Sequence, residues 1–248
     1  MKKKKRFLMA LSALAILLLI TGFAVFMLDN RTEETDQEEE IVPPQEINTI
    51  LILGDSIGSG VGDEEGAGIG ERYLELLDRD DEDEETLTNL SVSGYDSSQL
   101  VELIESEEHD ATISEADLII ISIGGNDLNR LAFQRNLDLP VAFEDTLNTY
   151  VDNLDVIVRE LRTINPEAQA ALIGLYNPYN SIVPELNSYL LEWNDETRSV
   201  VESDPGFSYI PTHDLFEDHL DDYLYIDYFH PNDEGYQAIA EQLYTILN

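Results

Sequence analysis

The chain has 248 residues, no cysteine, and 52 acidic against 13 basic residues, which gives a formal net charge of -39. This length suffices for one globular domain and a short additional segment. The absence of cysteine excludes disulfides, thiolate metal sites and a lipid-modified cysteine. The acidic charge argues against nucleic acid and anionic membrane as ligands of the soluble part, because like charges repel.

The basic residues are unevenly distributed along the chain. Five of them, Lys2 to Arg6, form a cluster at the N-terminus, and the eight that follow are all arginines. Salt screens the repulsion between carboxylates, and arginine keeps its charge at a pH where lysine begins to lose its proton. We interpret this composition as an adaptation to high salt, high pH or both, as in a halophile or an alkaliphile.

An almost uninterrupted apolar run occupies residues 7–28 and is long enough to cross a bilayer as a helix. Because the basic segment 1–6 precedes it, the positive-inside rule predicts a single-pass cell-membrane anchor with a cytoplasmic N-terminus and an extracellular domain. A cleaved signal peptide is the alternative. Residues 29–46 are acidic, contain Pro43 and Pro44, and are expected to form a flexible tether. Residues 47–248 are then the folded domain.

Short apolar runs alternate with helical patterns throughout this domain. The strands are predicted at 47–54, 86–92, 117–123, 168–175 and 207–210. The helices are predicted at 68–77, 97–106, 143–164, 184–202 and 233–247. This alternation predicts an α/β fold, a three-layer α/β/α sandwich around a doubly wound, mainly parallel sheet of about five strands.

The first predicted strand leads directly into a glycine-rich turn that contains Ser56. Ligands bind at the carboxyl ends of parallel strands, and the flanking Gly54 and Gly58 give the serine an open position. Ser56 is therefore a candidate nucleophile. A phosphate-binding loop and a plain turn are the alternatives at this point.

A serine nucleophile needs a base, and the sequence contains four histidines. His109, His213 and His219 lie in polar segments without a distinctive context. His230 differs, because Asp227 precedes it by three residues in one short loop just before the last predicted helix. An aspartate at this spacing can accept a hydrogen bond from Nδ1 of the ring while Nε2 takes the serine proton.

Four sequence blocks occur in a specific order across the domain. They are GDS at 54–56, NLSVSG at 89–94, GGND at 124–127 and DYFHP at 227–231. Together they resemble the SGNH hydrolases, also called GDSL-like lipases and acylhydrolases, which have a flavodoxin-like fold. Members often carry leucine after the serine, where this chain has Ile57. Since that side chain is expected to pack rather than react, the difference leaves the expected chemistry intact.

The resemblance implies a role for each block. Ser56 would be the nucleophile, His230 the general base and then the general acid, and Asp227 the residue that orients His230. The oxyanion would be bound by the backbone N–H groups of Ser56 and Gly94 and by the side-chain amide of Asn126. No cofactor or metal is expected, because no histidine and carboxylate cluster with ligand spacing lies near these blocks. No protein partner can be inferred.

The expected function is an extracytoplasmic serine ester hydrolase acting on a small-molecule or lipid ester. A carbohydrate O-acetylesterase, an inactive surface ligand-binding module and a phosphate-binding flavodoxin-like domain are the alternatives. Segments 128–141 and 176–193 follow two of the predicted strands and are rich in apolar and aromatic residues, which favours acyl chains over acetylated sugars. The residues most relevant there are Leu128, Leu131, Phe133, Leu137, Leu139, Tyr176, Tyr179, Ile182, Val183 and Trp193.

Overall fold

Five parallel strands form one sheet at the centre of the domain. The computed structural model describes residues 47–77, 86–132, 138–180, 183 and 186–248. The strands are β1 (Thr49–Gly54), β2 (Thr86–Asn89), β3 (Leu118–Ser122), β4 (Gln169–Ile173) and β5 (Phe207–Ile210). Their order in the sheet is β2-β1-β3-β4-β5, and every neighbouring pair is parallel. β2 therefore lies on one side of β1, whereas β3, β4 and β5 follow on the other side, so the strand order reverses between β1 and β3.

The helices alternate with these strands. They are α1 (Gly68–Leu77), α2 (Ser97–Glu105), α3 (Asp110–Ser114), α4 (Gly125–Ala132), α5 (Leu139–Ile164), α6 (Asn187–Val201), α7 (His213–Glu217), α8 (Leu220–Tyr223) and α9 (Asp233–Leu247). Two of their N-termini are capped by side chains. Asp96 forms a capping box with Gln99 at α2, and Asn232 accepts a hydrogen bond from Gly235 N–H at α9.

The central strands are buried on both faces, as their continuous apolar sequences require. In β1, Leu51 and Leu53 belong to the core beneath α2, α5 and α6, whereas Ile50 and Ile52 belong to the core beneath α1 and α9. Each of these four side chains is at most 1% exposed. Burial of one leucine or isoleucine side chain contributes about 1.5–3 kcal/mol to stability. Because successive side chains of β1 are buried on opposite faces of the sheet, helices must cover both faces, which gives the three layers.

The predicted α/β sandwich with a parallel five-stranded sheet is confirmed, with differences at the ends of elements. β2 ends at Asn89 instead of Val92, because the Asn89 side chain accepts from Ser91 N–H and donates to the Gly58 carbonyl. α5 begins at Leu139, four residues before the predicted start, since Pro140 fits the first turn of a helix. The short helices α3, α4, α7 and α8 were not predicted.

The predicted basic segment (1–6), membrane anchor (7–28) and tether (29–46) lie outside the described residues. Within the part of the chain that the structure describes, no helix has both the length and the apolar character needed to span a bilayer.

Candidate active site

Ser56 lies in the turn that follows β1, where the backbone of Gly54 is tightly packed. Gly54 has φ +134°, and a β-carbon there would lie 1.9 Å from the Ser122 carbonyl oxygen. Only glycine fits this position. The turn is closed by hydrogen bonds from Ser59 N–H to the Asp55 carbonyl (3.0 Å) and from Val61 N–H to the Ser56 carbonyl (2.9 Å). β1 and this turn thus hold Ser56 at the carboxyl edge of the sheet.

Ser56, His230 and Asp227 form a continuous chain of hydrogen bonds. Ser56 Oγ lies 2.9 Å from His230 Nε2, and His230 Nδ1 lies 2.6 Å from Asp227 Oδ2. This arrangement leaves Nε2 free to accept the serine proton while Asp227 holds the ring through Nδ1. The structure therefore brings together the three residues that the sequence analysis selected from separate segments.

Asp227 also organises its own turn. Its Oδ1 atom accepts hydrogen bonds from the backbone N–H groups of Phe229 (2.9 Å) and His230 (3.0 Å). Burial opposes ionisation of Asp227, but the hydrogen bonds from His230 and Phe229 outweigh it and hold the pKa of Asp227 below its ordinary value. Asp227 is consequently a carboxylate at neutral pH, as an acceptor for an imidazole N–H must be.

Two further contacts fix the loop that carries His230. Tyr225 N–H donates to the His230 carbonyl over 2.8 Å, and the Tyr176 hydroxyl donates to the Phe229 carbonyl over 2.6 Å. Tyr176 is buried and follows β4, so this bond ties the loop to the sheet. From the sequence, Tyr176 was expected only to line the substrate pocket, and its hydrogen bond to the Phe229 carbonyl was not predicted.

The two other predicted oxyanion residues are adjacent to each other. The Asn126 side-chain amide in the first turn of α4 donates to the carbonyl of Tyr95, the residue after Gly94, over 2.8 Å. Gly94 has φ +90°, and a β-carbon there would meet no heavy atom within 4 Å. Val92 N–H donates to the Gly54 carbonyl over 2.8 Å, which joins this segment to the turn of Ser56. The contacts therefore place both residues at the same sheet edge as the serine.

Asp55 is a buried residue of the site to which the sequence analysis gave no role. Its carboxylate accepts from the Ser122 hydroxyl (2.9 Å) and from Ile57 N–H (3.0 Å). Burial raises the pKa of Asp55 to about 6, although these hydrogen bonds and the charge of His230 favour the ionised form. Its position in the GDS block was the available signal, but its burial follows from packing that the sequence does not show.

An apolar cavity of about 400 Å³ adjoins the site. Ile57 from the serine turn and Phe229 from the histidine loop both line it. The other lining residues are Gly125, Leu128, Asn129, Leu131, Leu139, Phe143, Leu175, Tyr176, Asn177, Pro178, Tyr179, Leu186, Tyr189 and Leu190. Its volume and apolar lining suit a hydrocarbon chain.

The predicted substrate segments contribute to this cavity in part. Leu128, Leu131, Leu139, Tyr176 and Tyr179 line it. The prediction was wrong for Trp193, which is fully buried in the core and stacks on Tyr150 with ring centroids 4.3 Å apart. Trp193 lies one helical turn beyond the lining residues Tyr189 and Leu190, and its ring packs against Tyr150 of α5 instead. Phe133, Leu137 and Ile182 lie outside the described residues, and Val183 is partly exposed.

The remaining histidines have other contacts. His213 Nδ1 lies 2.7 Å from Asp214 Oδ1, and its Nε2 lies 2.8 Å from Asn187 Oδ1. His219 stacks on Tyr223. His109 precedes the short helix α3 without a side-chain cap. His230 is thus the histidine that the described contacts place against Ser56.

Among the described residues, two groups of side chains place potential metal-ligand atoms within 4.8 Å of one another. The groups are His213, Asp214 and Glu217, and Asp63, Glu65 and Asp233. In the second group, Arg72 donates hydrogen bonds to Asp63 and Glu65, so these two carboxylates are already paired with a cation. The hydrogen bonds of the Ser56 site involve none of these residues.

A doubly wound α/β fold that holds a serine, a histidine and an aspartate in hydrogen-bond contact at the carboxyl edge of the sheet is typical of hydrolytic enzymes that act on acyl groups. The family model of the GDSL-like lipase/acylhydrolase family matches residues 52–238. The chain belongs to this family, and it is a carboxylic ester hydrolase.

The chain is also similar to two Bacillus proteins over most of its length. The chain is 30% identical over 225 residues to the uncharacterized protein YpmR of Bacillus subtilis, covering 88% of this chain and 85% of YpmR. It is 29% identical over 202 residues to the spore germination lipase LipC of Bacillus licheniformis, covering 77% and 92%.

Among solved structures, the lipase Lip_vut3 from a goat rumen metagenome superposes with a TM-score of 0.72 at 27% identity, covering 79% of this chain and 96% of that one. An acetylxylan esterase, Axe2 from Geobacillus stearothermophilus, has the same fold, with a TM-score of 0.60 at 20% identity and coverage of 81% and 94%.

Proposed function

We propose that this protein hydrolyses carboxylic esters through a Ser56-His230-Asp227 triad and an acyl-enzyme intermediate. The observation that carries the proposal is the unbroken contact from Ser56 Oγ to His230 Nε2 (2.9 Å) and from Nδ1 to Asp227 (2.6 Å). An inactive ligand-binding module would have no need to keep a histidine positioned to accept a proton from the serine hydroxyl.

In the first half of the reaction, Ser56 Oγ attacks the acyl carbonyl carbon while His230 Nε2 takes the hydroxyl proton. The oxyanion that forms accepts hydrogen bonds from the N–H groups of Ser56 and Gly94 and from the Asn126 amide. The carbon–oxygen bond to the alcohol then breaks, and His230 gives its proton to the departing oxygen.

In the second half, a water molecule gives a proton to His230 and attacks the acyl-enzyme. The new tetrahedral intermediate uses the same oxyanion donors. Its collapse breaks the bond to Ser56 Oγ, which recovers the proton from His230, and releases the carboxylic acid. Asp227 remains ionised throughout and stabilises the imidazolium.

The same proposal includes the acyl group and the location. The apolar cavity of about 400 Å³ next to Ile57 supports an acyl chain of several carbons, since an acetyl group would leave most of it empty.

The basic segment 1–6 before the apolar run of 7–28 supports an extracytoplasmic domain on a membrane anchor.

The test of the triad uses Ser56→Ala in the full chain. We expect ester turnover to fall to the small residual rate that the oxyanion donors and binding alone support, while the thermal midpoint stays near that of the parent, and a serine-directed phosphonate to label the parent alone. Retained turnover in Ser56→Ala contradicts the proposal. Comparing acetyl and medium-chain esters of one leaving group, with acetylated glycan as a third substrate, separates the acyl proposal from a carbohydrate O-acetylesterase.

A further inference from the structure

Two large apolar side chains project into solvent on either side of the catalytic aspartate. Ile226 is 79% exposed and Tyr228 is 75% exposed. They are the two most exposed large hydrophobic side chains in the described part of the chain, and they flank Asp227 in sequence. Exposure of this kind next to a binding site indicates a contact surface.

The backbone of this turn holds Tyr228 in an uncommon conformation. Tyr228 has φ +57°, a left-handed conformation that L side chains rarely adopt, and its N–H donates to the Tyr225 carbonyl over 2.8 Å. Asp227 Oδ1 accepts from the backbone N–H groups of Phe229 and His230, so hydrogen bonds close the turn on both sides of Tyr228. Glycine or asparagine would adopt this conformation at lower cost, which makes an exposed tyrosine here a feature in need of a functional reason.

The surface around the turn continues into the apolar cavity. Phe229, next to Tyr228, lines the cavity, and its ring lies 6.3 Å from that of the partly exposed Tyr179. Ile226 and Tyr228 therefore lie on the same loop as Phe229, which forms part of the cavity wall. A water-insoluble ester is supplied to this loop from a lipid aggregate, because little of it is dissolved in free solution.

Charge decides which partner can cover this face. With 52 acidic and 13 basic residues, the chain repels a second copy of itself and an anionic bilayer. Glu64, Asp221 and Asp222 line a cleft beside Ile226, so the repulsion also acts locally. A zwitterionic lipid surface has no net charge to oppose contact, and tyrosine and isoleucine suit its interfacial and acyl regions.

We propose that Ile226 and Tyr228 dock the catalytic turn onto zwitterionic lipid surfaces, from which the acyl chain of the ester passes into the cavity. This inference rests on the proposed ester hydrolysis. It adds a binding surface that the chemistry itself does not require, because the described hydrogen bonds of Ser56 and His230 and the cavity lining involve neither side chain.

The experiment compares two substrates in the full chain. The first is a monomeric p-nitrophenyl butyrate in solution, and the second is a p-nitrophenyl laurate carried in phosphatidylcholine vesicles. The variant is Ile226→Ser with Tyr228→Asn, in which asparagine keeps the left-handed turn. The control is Ile246→Ser, which removes an exposed isoleucine from α9. The N-terminal apolar segment is the same in all three proteins, so its effect cancels.

We expect the double variant to lose activity on the vesicles by about tenfold, with unchanged kcat/KM for the monomeric ester, since interfacial binding scales with buried apolar area. The control should match the parent on both substrates. Each single variant should show part of the loss. In the parent, replacing part of the phosphatidylcholine with phosphatidylglycerol should lower vesicle activity.

Equal vesicle activity of parent and double variant overturns the docking surface while leaving ester hydrolysis in place. Equal or higher activity of the parent on anionic vesicles overturns the charge argument. If the parent sediments as a dimer and the double variant as a monomer, the face binds a second copy of the chain instead. A parent that hydrolyses neither ester overturns the proposed function itself.

Discussion

Asp55 and Ser122 join the turn of the nucleophile to the third strand through two hydrogen bonds. The Ser122 hydroxyl donates to Asp55 Oδ1 over 2.9 Å, and Asp55 N–H donates to the Ser122 carbonyl over 2.9 Å. Ser122 ends β3, and Gly124 to Asn126 follow after Ile123. The pair thus connects the serine turn to the segment that carries the proposed oxyanion donor Asn126.

This position makes Asp55 a source of pH-dependent stability. Burial raises its pKa from 3.8 to about 6, so the folded protein holds the proton more tightly than the unfolded chain. The free energy of unfolding therefore falls as pH rises from about 4 to 6, and above pH 6 the ionised carboxylate costs roughly 3 kcal/mol. Asp55→Asn cannot ionise. We expect it to unfold at a higher temperature than the parent at pH 8 and at nearly the same temperature at pH 4.

The same variant should lose activity, by on the order of tenfold in kcat, because the positive charge that His230 gains during turnover loses a nearby negative charge. Thermal melts and ester assays of one preparation measure both effects. A variant that is neither stabilised at pH 8 nor slowed would show that Asp55 is neutral in the folded protein at that pH.

Asp204→Asn is the matched control. Asp204 accepts two hydrogen bonds from Arg162 (2.9 and 3.0 Å), and this pairing lowers its pKa. Its contribution to stability is present above its ordinary pKa and is lost as pH falls through the folded value. The control should therefore be destabilised at pH 8 and approach the parent in acid, with the opposite sign to Asp55→Asn.

Replacing Asp227 with asparagine tests its orienting role. Asparagine retains an oxygen that can accept from the N–H groups of Phe229 and His230, so the turn should persist. The amide cannot stabilise the imidazolium and favours the wrong tautomer, so kcat should fall by about 10⁴. Ser56→Ala and His230→Ala should fall further, to the rate that the oxyanion donors and binding alone support.

Asp227→Ala separates orientation from the fold of the turn. It removes the two backbone hydrogen bonds as well, so its thermal midpoint should lie below that of Asp227→Asn. An asparagine variant with parental kcat would mean that His230 is oriented by another group.

Asn126→Ala tests the oxyanion donor. Loss of one donor should lower kcat by about 10²–10³ and leave KM nearly unchanged, because the donor acts on charge that exists only in the transition state. The hydrogen bond to the Tyr95 carbonyl is lost too, at a cost of about 1 kcal/mol in stability. Initial-rate kinetics at saturating and limiting ester concentrations distinguish the outcomes. A rise in KM with parental kcat would assign Asn126 to substrate binding instead.

The sheet could be predicted from the sequence because its strands are short apolar runs bounded by glycine or polar residues. Leu118–Ser122 is an example, since five buried residues in a row fit a strand covered on both faces. The end of β2 could not be predicted, because it depends on Asn89 reaching Gly58 across 31 residues. Helices of four or five residues such as α8 lack the length for a periodic pattern.

The same distinction holds for the site. Ser56, Asp227 and His230 each lie in a recognisable block, so their selection needed no coordinates. Asp55 and Tyr176 act through burial and through one long-range side-chain hydrogen bond each, with the Ser122 hydroxyl and with the Phe229 carbonyl. Such contacts arise only from the way strands and loops pack together, and a single sequence carries no local signal for them.

The length of the acyl chain can be tested by narrowing the cavity at Leu139. This half-buried residue begins α5 and lines the cavity, whereas Val141, two residues further along the same helix, is 53% exposed and does not line it. Leu139→Trp should fill part of the cavity, and Val141→Trp is the matched control.

If the cavity holds the acyl chain, each buried methylene improves transition-state binding by up to about 0.8 kcal/mol in the parent. The parental kcat/KM should therefore rise from acetyl to medium-chain esters of one leaving group. In Leu139→Trp this rise should stop at a shorter chain while acetyl turnover stays unchanged, and Val141→Trp should follow the parent. Parallel chain-length profiles for all three proteins would place the acyl chain outside this cavity, and a parental profile that falls steeply beyond acetyl would favour the carbohydrate O-acetylesterase.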